Sequence, residues 1–246
     1  MTRRKKIQES YAAVFVLLFL VVAMMCFLVN MPRSGTVGES YLDVSASMPN
    51  NYDIMIMQGN SEYLVLVNKT YGLGSAYEPA DLETVASRAS DRPAKFQKLR
   101  AAAADSFNKM TTDAEEKGLT IAVTTAYRPY SYQKQLYDNY MKSNGAEWTE
   151  HYSAEPGHSE HQTGLTADVS CPAVDYELTA DFADTAEGKW LAENAHRYGF
   201  IIRYPDGKEA ITGYKYEPWH IRYVGEQAAT EIYNRNLTLE EYLGEV

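Results

Sequence analysis

The chain has 246 residues, 45% of them hydrophobic and 23% charged, the balance of a globular protein with a sizeable core. Its formal net charge of −10 argues against a nucleic-acid-binding surface. That total hides an asymmetry, because residues 1–10 hold Arg3, Arg4, Lys5 and Lys6 against Glu9 alone.

The basic tetrad directly precedes the one long apolar run, residues 12–29, which carries no charge. That run is long enough to cross a bilayer with little tilt, and long for a signal-peptide core. Positive charge before it, with only Arg33 soon after, orients the N-terminus to the cytoplasm and leaves everything from about residue 31 outside. A cleaved signal peptide is the competing reading, but no small-x-small cleavage site follows the run. Cys26 fits a lipoprotein poorly, since Met24 and Met25 stand where small residues belong. The expected organisation is a basic cytoplasmic tail (1–10), a transmembrane signal-anchor (11–30), an extracytoplasmic linker (31–51) and a domain (52–246) outside a single-pass cell membrane. The two cysteines, Cys26 and Cys171, are separated by that geometry. No intrachain disulfide is expected, so the domain is held by its core or by a metal. Cys171 reads as a packed residue.

Within the domain, residues 63–67 read as a short buried strand, stopped by Asn68 and Lys69. Residues 71–79, with two glycines and a proline, read as a loop. Phe96, Leu99, Ala103, Phe107, Met110 and Ala114 recur at three- and four-residue steps. They predict a helix with one apolar stripe, starting at residues 90–93 and stopping at Gly118. Residues 119–126, rich in β-branched side chains, read as a strand that ends in Tyr127-Arg128-Pro129. A helix follows from Ser131, with Gln133 in its first turn. Residues 144–155 read as a polar loop. After Ser170 comes an acidic, irregular segment to Asp184, then a helix over residues 186–198 closed by Gly199. Residues 200–204 form a strand, Pro205-Asp206-Gly207 a turn, and residues 214–224 a strand interrupted by proline. The end is helical, with Thr238 and Glu241 in a capping-box pattern.

Candidate chemistry gathers in two of these segments. In Pro156–Ser170, His158 and His161 lie beside a Pro-Gly turn. Beyond them Leu165, Ala167 and Val169 alternate with Thr166, Asp168 and Ser170, the period of a half-buried strand. The Asp168 carboxylate is thus aimed away from the apolar layer. Downstream, Glu217 and His220 bracket Pro218-Trp219. A regular strand would send residues three apart to opposite faces, but proline removes a ladder hydrogen bond. A bulge or turn is expected there, bringing both side chains to one site. Together His161, Asp168 and His220 make a two-histidine, one-carboxylate set, which leaves a fourth position open on a tetrahedral zinc. Glu217 is then free to act as a base on a water. This is not the helical H-E-x-x-H pattern, because the glutamate precedes the histidine and a proline intervenes.

Ser159 two residues before His161, Asp168 seven after it, and Glu217 three before His220 resemble the VanY-type zinc D-alanyl-D-alanine carboxypeptidases. These belong to a D,D-peptidase group that includes the VanX-type dipeptidases. The likeness runs in order through Leu66-Val67-Asn68-Lys69, Tyr127-Arg128-Pro129 with Gln133, Pro156 to Asp168, Glu187-Gly188-Lys189-Trp190-Leu191, and Tyr216 to Gly225. It implies an α+β fold, in which helices flank a small antiparallel sheet carrying a zinc site. It implies one zinc per chain on His161, Asp168 and His220, with Glu217 as catalytic base. Arg128 is implied as the group that stabilises the anionic intermediate, and Gln133 and Ser159 as substrate-pocket residues.

The implied activity is removal of the C-terminal D-alanine from peptidoglycan stem pentapeptides by a membrane-anchored enzyme. The partners are stem peptides ending in D-Ala-D-Ala, and the membrane through the N-terminal helix. The alternatives are a D,D-dipeptidase or a peptidoglycan endopeptidase of the same group. An outward-facing domain disfavours the dipeptidase, whose free substrate is cytoplasmic. A non-catalytic wall-binding module has no need of Glu217. The group for the substrate's own carboxylate stays open among Arg128, Arg203, Arg222 and a backbone nest. His151 and His158 are extra loop histidines, and His196 reads as structural.

Overall fold

The computed structural model describes residues 62–246. The expected membrane run and linker lie outside the described residues. Among the described residues, no helix is long and apolar enough to cross a membrane.

Among the described residues, six short strands and seven α-helices follow one another in a mixed order. The strands are β1 (Leu82–Thr84), β2 (Lys98–Arg100), β3 (Ala122–Thr125), β4 (Thr166–Ser170), β5 (Phe200–Tyr204) and β6 (Glu217–Tyr223). The first four helices are α1 (Ala101–Glu115), α2 (Tyr130–Asn144), α3 (Ala146–Tyr152) and α4 (Ala186–Asn194). Three more, α5 (Glu209–Thr212), α6 (Glu226–Arg235) and α7 (Leu239–Leu243), complete the set. Strands β1 and β2 pair with each other, and the other four form an antiparallel sheet in the order β3-β4-β6-β5. The expected α+β class holds.

Alternation along β4 and β6 gives the sheet two unlike faces. Ala167, Val169, Ile221 and Tyr223 join the main core with Ala103, Ala104, Phe107 and Met110 of α1 and Trp190 and Leu191 of α4. The opposite face carries Thr166 and Asp168 of β4, in register with Arg222 and His220 of β6. At the β5 end of that face, Ile201 packs with Ala228, Ala229 and Ile232 of α6 and Leu239 and Leu243 of α7. One face is thus wholly apolar, while the other is shared between a smaller apolar cluster and charge.

Several local expectations give way to tertiary contacts. Residues 63–67 are not a strand: Glu62–Leu64 makes a single 3₁₀ turn, and the next three residues are irregular. Their apolar side chains are buried as the pattern requires, with Leu64, Leu66 and Val67 in the interior. However, the carbonyls of Tyr63 and Val65 accept from the Arg222 guanidinium rather than from a neighbouring strand. The α1 stripe is real, but its first members belong to other structures. Phe96 closes a 3₁₀ turn and Leu99 sits in β2, so the helix begins at Ala101. Residues 144–155 contain α3, which follows α2 directly across Gly145 at φ +83°, a conformation that favours glycine. The 186–198 helix is present with its last turn tightened to 3₁₀ before Gly199. The capping box at the C-terminal end is formed by Thr238 and Glu241 as expected.

Candidate metal centre

His161 is held on a one-turn 3₁₀ helix, Glu160–Thr163, that leads into β4. The turn ends at Gly164, whose φ of +69° and close approach to the Leu82 and Arg100 side chains leave no room for a larger residue. The His161 carbonyl accepts from the Arg128 backbone, tying this turn to the end of β3. Its Nδ1 lies 2.7 Å from the Ala126 carbonyl and donates to it, so Nε2 keeps its lone pair. Burial pushes the pKa of His161 down, which favours the neutral ring.

Asp168 and His220 face each other across the β4–β6 ladder. Asp168 Oδ2 is 3.2 Å from His161 Nε2, and Oδ1 is 3.0 Å from His220 Nδ1. All three residues are buried, and one ligand atom from each lies within 4.8 Å of the others. Burial raises the Asp168 pKa, but His161 and His220 outweigh it and hold the carboxyl well below its usual range. These three residues could hold a metal ion. The donor set suits zinc, being one lone-pair imidazole nitrogen, one ionised carboxylate and a second imidazole already turned toward them.

Glu217 and His220 do reach one site. The β5–β6 register shifts between the Ile202 pair and the Tyr204–Glu217 pair, across the Pro218-Trp219 segment. This irregularity brings Glu217 Oε2 to 3.6 Å from His220 Nδ1. Burial is the main cause that pushes the Glu217 carboxyl up to about 7. Asp168 adds to the rise, while His220 and Arg128 oppose it. Such a carboxyl is poised to exchange protons near neutral pH.

Arg128 leaves the end of β3 toward the same place. Its Nη2 is 3.9 Å from Asp168 Oδ2, and its Nη1 donates to Gln133 Oε1 at 2.8 Å. Gln133 is buried and donates in turn to the Ala154 carbonyl at 2.6 Å. It therefore stands behind Arg128 as a brace, with its carbonyl oxygen already engaged by the guanidinium. Ser159 is the N-cap of the His161 turn without using its hydroxyl there. Two other histidines, His158 and His196, are engaged elsewhere. His158 Nδ1 meets the Asn68 carbonyl at 2.8 Å, and His196 stacks on Tyr233. Cys171 is buried among apolar side chains, as expected.

A charged layer without a local motif in the sequence lies beneath the cluster. Arg203 and Arg222 are both 0% exposed. Each donates at 2.7 Å to Glu160 Oε1, and Arg203 also makes a two-armed pair with Glu240. Neither reaches solvent, so neither is a group for a substrate carboxylate. Burial raises the Glu160 pKa, but the two guanidiniums outweigh it and keep this carboxyl ionised. A signal existed: Arg203 and Arg222 each sit between apolar or aromatic neighbours inside a strand, and such arginines must find partners when buried.

A buried carboxylate–imidazole cluster on a small antiparallel sheet, flanked by a glutamate poised near neutrality and an arginine, has the architecture of a peptidase. The family model VanY, described as D-alanyl-D-alanine carboxypeptidase, matches residues 96–226. The chain belongs to the VanY family of carboxypeptidases and is a peptidase hydrolase of that group.

The Bacillus subtilis protein YodJ, named as a carboxypeptidase, is 45% identical over 77% of this chain and 70% of its own. Among solved structures, the LdcB LD-carboxypeptidase is 42% identical with a TM-score of 0.73, over 79% of this chain and 94% of its own. A VanY D,D-pentapeptidase from a VanB-type resistance cassette, solved with Zn(II), is 32% identical with a TM-score of 0.60. That match covers 74% of this chain and 98% of the other. VanYB in complex with D-alanine-D-alanine matches at 32% identity and a TM-score of 0.62, over 75% and 98%.

Proposed function

We propose that the chain is a zinc D,D-carboxypeptidase that removes the C-terminal D-alanine from peptidoglycan stem pentapeptides. The observation that carries the reading is the convergence of His161, Asp168 and His220, with Glu217 beside them, in a VanY-family chain. His161 Nε2, the Asp168 carboxylate and His220 Nδ1 would hold the ion, one per chain. When bound, zinc supplies a Lewis acid that lowers the pKa of water and polarises the scissile carbonyl. Glu217 takes the proton of the attacking water and returns it to the departing D-alanine amine. Arg128, braced by Gln133, presents its guanidinium to the negative charge that develops on the carbonyl oxygen. Ser159 would line the pocket beside His161. Residues 11–30 would anchor the domain outside the cell membrane, where stem peptides lie.

One observation favours a second reading. The likeness to the LdcB LD-carboxypeptidase, at 42% identity, exceeds that to the VanY D,D-pentapeptidase, at 32%. An L,D-carboxypeptidase would use the same groups to cut one bond further in, on a stem already shortened to four residues. Mass spectrometry of purified muropeptides incubated with the zinc-loaded protein separates the two. Loss of one D-alanine from the pentapeptide supports the D,D reading, and loss from the tetrapeptide alone supports the L,D one. Release of a dipeptide or internal cleavage would point to the dipeptidase or endopeptidase alternatives. An unchanged muropeptide pool would overturn all of them.

A further inference from the structure

Beneath the metal cluster, the Glu160 carboxylate has two oxygens with separate surroundings. Both arginines donate to Oε1, Arg203 through Nε and Arg222 through Nη1. Oε2 is left free of them. It has a long contact of 3.4 Å from the Thr166 hydroxyl, and it points at His220 Nε2 from 3.6 Å. That nitrogen is buried and has no hydrogen-bond partner, so the carboxylate is the acceptor aimed at it. The opposite ring nitrogen, Nδ1, faces Asp168 and the centre of the cluster. The ring is further held by Tyr204, packed against it with centroids 4.7 Å apart.

We infer that Glu160 is a positioning residue for His220: its Oε2 takes the Nε2–H, fixing the tautomer and turning the Nδ1 lone pair toward the metal. The inference rests on the zinc reading above and adds a residue to it. The physical logic is general. A histidine ligand gives its second N–H to a carboxylate or carbonyl, which orients the ring and strengthens the donor nitrogen. His161 follows it with the Ala126 carbonyl. His220 has Glu160, and the two arginines hold that carboxylate in place by its other oxygen. Glu160 thereby joins the sheet's buried charged layer to the metal cluster, one residue before the ligand His161 in the chain.

Glu160→Gln tests this with little change in shape. The amide oxygen would stay with the arginines, so the amide NH₂ takes the place of Oε2 and sets a donor against the His220 N–H. Zinc affinity measured by chelator competition on the full chain should fall about 10- to 100-fold. Glu240→Gln removes a charge from the same arginine layer without facing His220, so its zinc affinity should equal the wild type. Equal affinity for Glu160→Gln and the wild type overturns the inference. So does an equal loss in Glu240→Gln, which would make the effect a general loosening. A wild-type chain that takes up no zinc overturns the zinc reading itself. The wild-type protein gives a further check that no failure to fold can obscure. Nitrogen-15 spectra of histidine-labelled, zinc-loaded protein should show His220 protonated at Nε2, and an unprotonated or metal-bound Nε2 would refute the assignment.

Discussion

Arg222 and Arg235 each make a short ion pair, and their removal should have very unequal consequences. Arg235 Nη1 lies 2.6 Å from Glu231 Oε1, one helical turn away, with the two side chains 61% and 43% exposed. Arg222 lies 2.7 Å from Glu160, with both side chains almost fully buried. The Arg222→Met variant keeps an apolar stem but deletes every donor. Glu160 keeps Arg203 as its one guanidinium partner, and the Tyr63 and Val65 carbonyls lose theirs at 2.9 and 2.6 Å.

Breaking a buried pair from one side costs about 3–5 kcal/mol, and each orphaned buried group adds about 1–3 kcal/mol. Arg203 still neutralises Glu160, which places the ion-pair part near its lower end. With the two carbonyls, the sum is therefore at least about 5 kcal/mol, or a fall in Tm of roughly 10–20 °C for a domain of this size. Arg235→Met should cost under about 0.5 kcal/mol, because solvent already screens that pair. Urea unfolding of the metal-free proteins, followed by circular dichroism, reads the midpoint shift at constant slope. Equal shifts in the two variants would refute the claim that burial, rather than distance, sets the worth of these arginines.

Other consequences follow from the site and its supports. Glu217→Gln should lower kcat by about 10²–10⁴-fold while zinc uptake stays unchanged, and full turnover would remove Glu217 from the chemistry. The wild-type acid limb of kcat/KM should lie at or below about 7, since the active form is the ionised carboxylate and a bound cation can only lower its pKa. A limb above that value contradicts the assignment. In metal-free protein, burial lowers the His220 pKa, but Asp168 and Glu160 outweigh it and raise it to about 9. Below that pH the ring holds a proton that zinc must expel, so affinity should climb with pH up to about 9. Calorimetry in buffers of different ionisation enthalpy should find between about one and two protons released per zinc at pH 7, one from His220 and part of one from Glu217, and no release would refute it. Gly188→Ala places a Cβ 2.0 Å from the Phe182 carbonyl oxygen, so α4 or the preceding turn must shift. The expected loss is about 1–3 kcal/mol, read as a lower Tm, and an unchanged melt would show that the turn yields freely.

The sequence carries the His161–Asp168–His220 cluster more clearly than it carries the fold around it. Period-two alternation places Asp168 on the polar face of β4, and Pro218 marks the irregularity that turns Glu217 toward His220. Both are local signals, decided by neighbours in the chain. Strands β1 and β2 are three residues each, too short to show a period, and Leu99 satisfies the helical stripe as well as the strand it occupies. Residues 63–67 read as a strand because their apolar content is right. Their backbone partner is a side chain that arrives from some 160 residues away.

Glu160 is harder to see for the same reason. In the chain it is one acidic residue beside a histidine, with no spacing that sets it apart from Glu155. Its meaning comes from Arg203 and Arg222, which pair with it only once β5 and β6 lie side by side. A charged side chain in the middle of an apolar strand costs too much to bury alone, so each one announces an unseen acidic partner. Among the described residues the buried acidic side chains are Glu160, Asp168 and Glu240, and Glu160 directly precedes a metal-ligand candidate. Buried strand arginines are thus pointers to the supporting layer of a site, even where the ligands themselves are recognised by spacing alone.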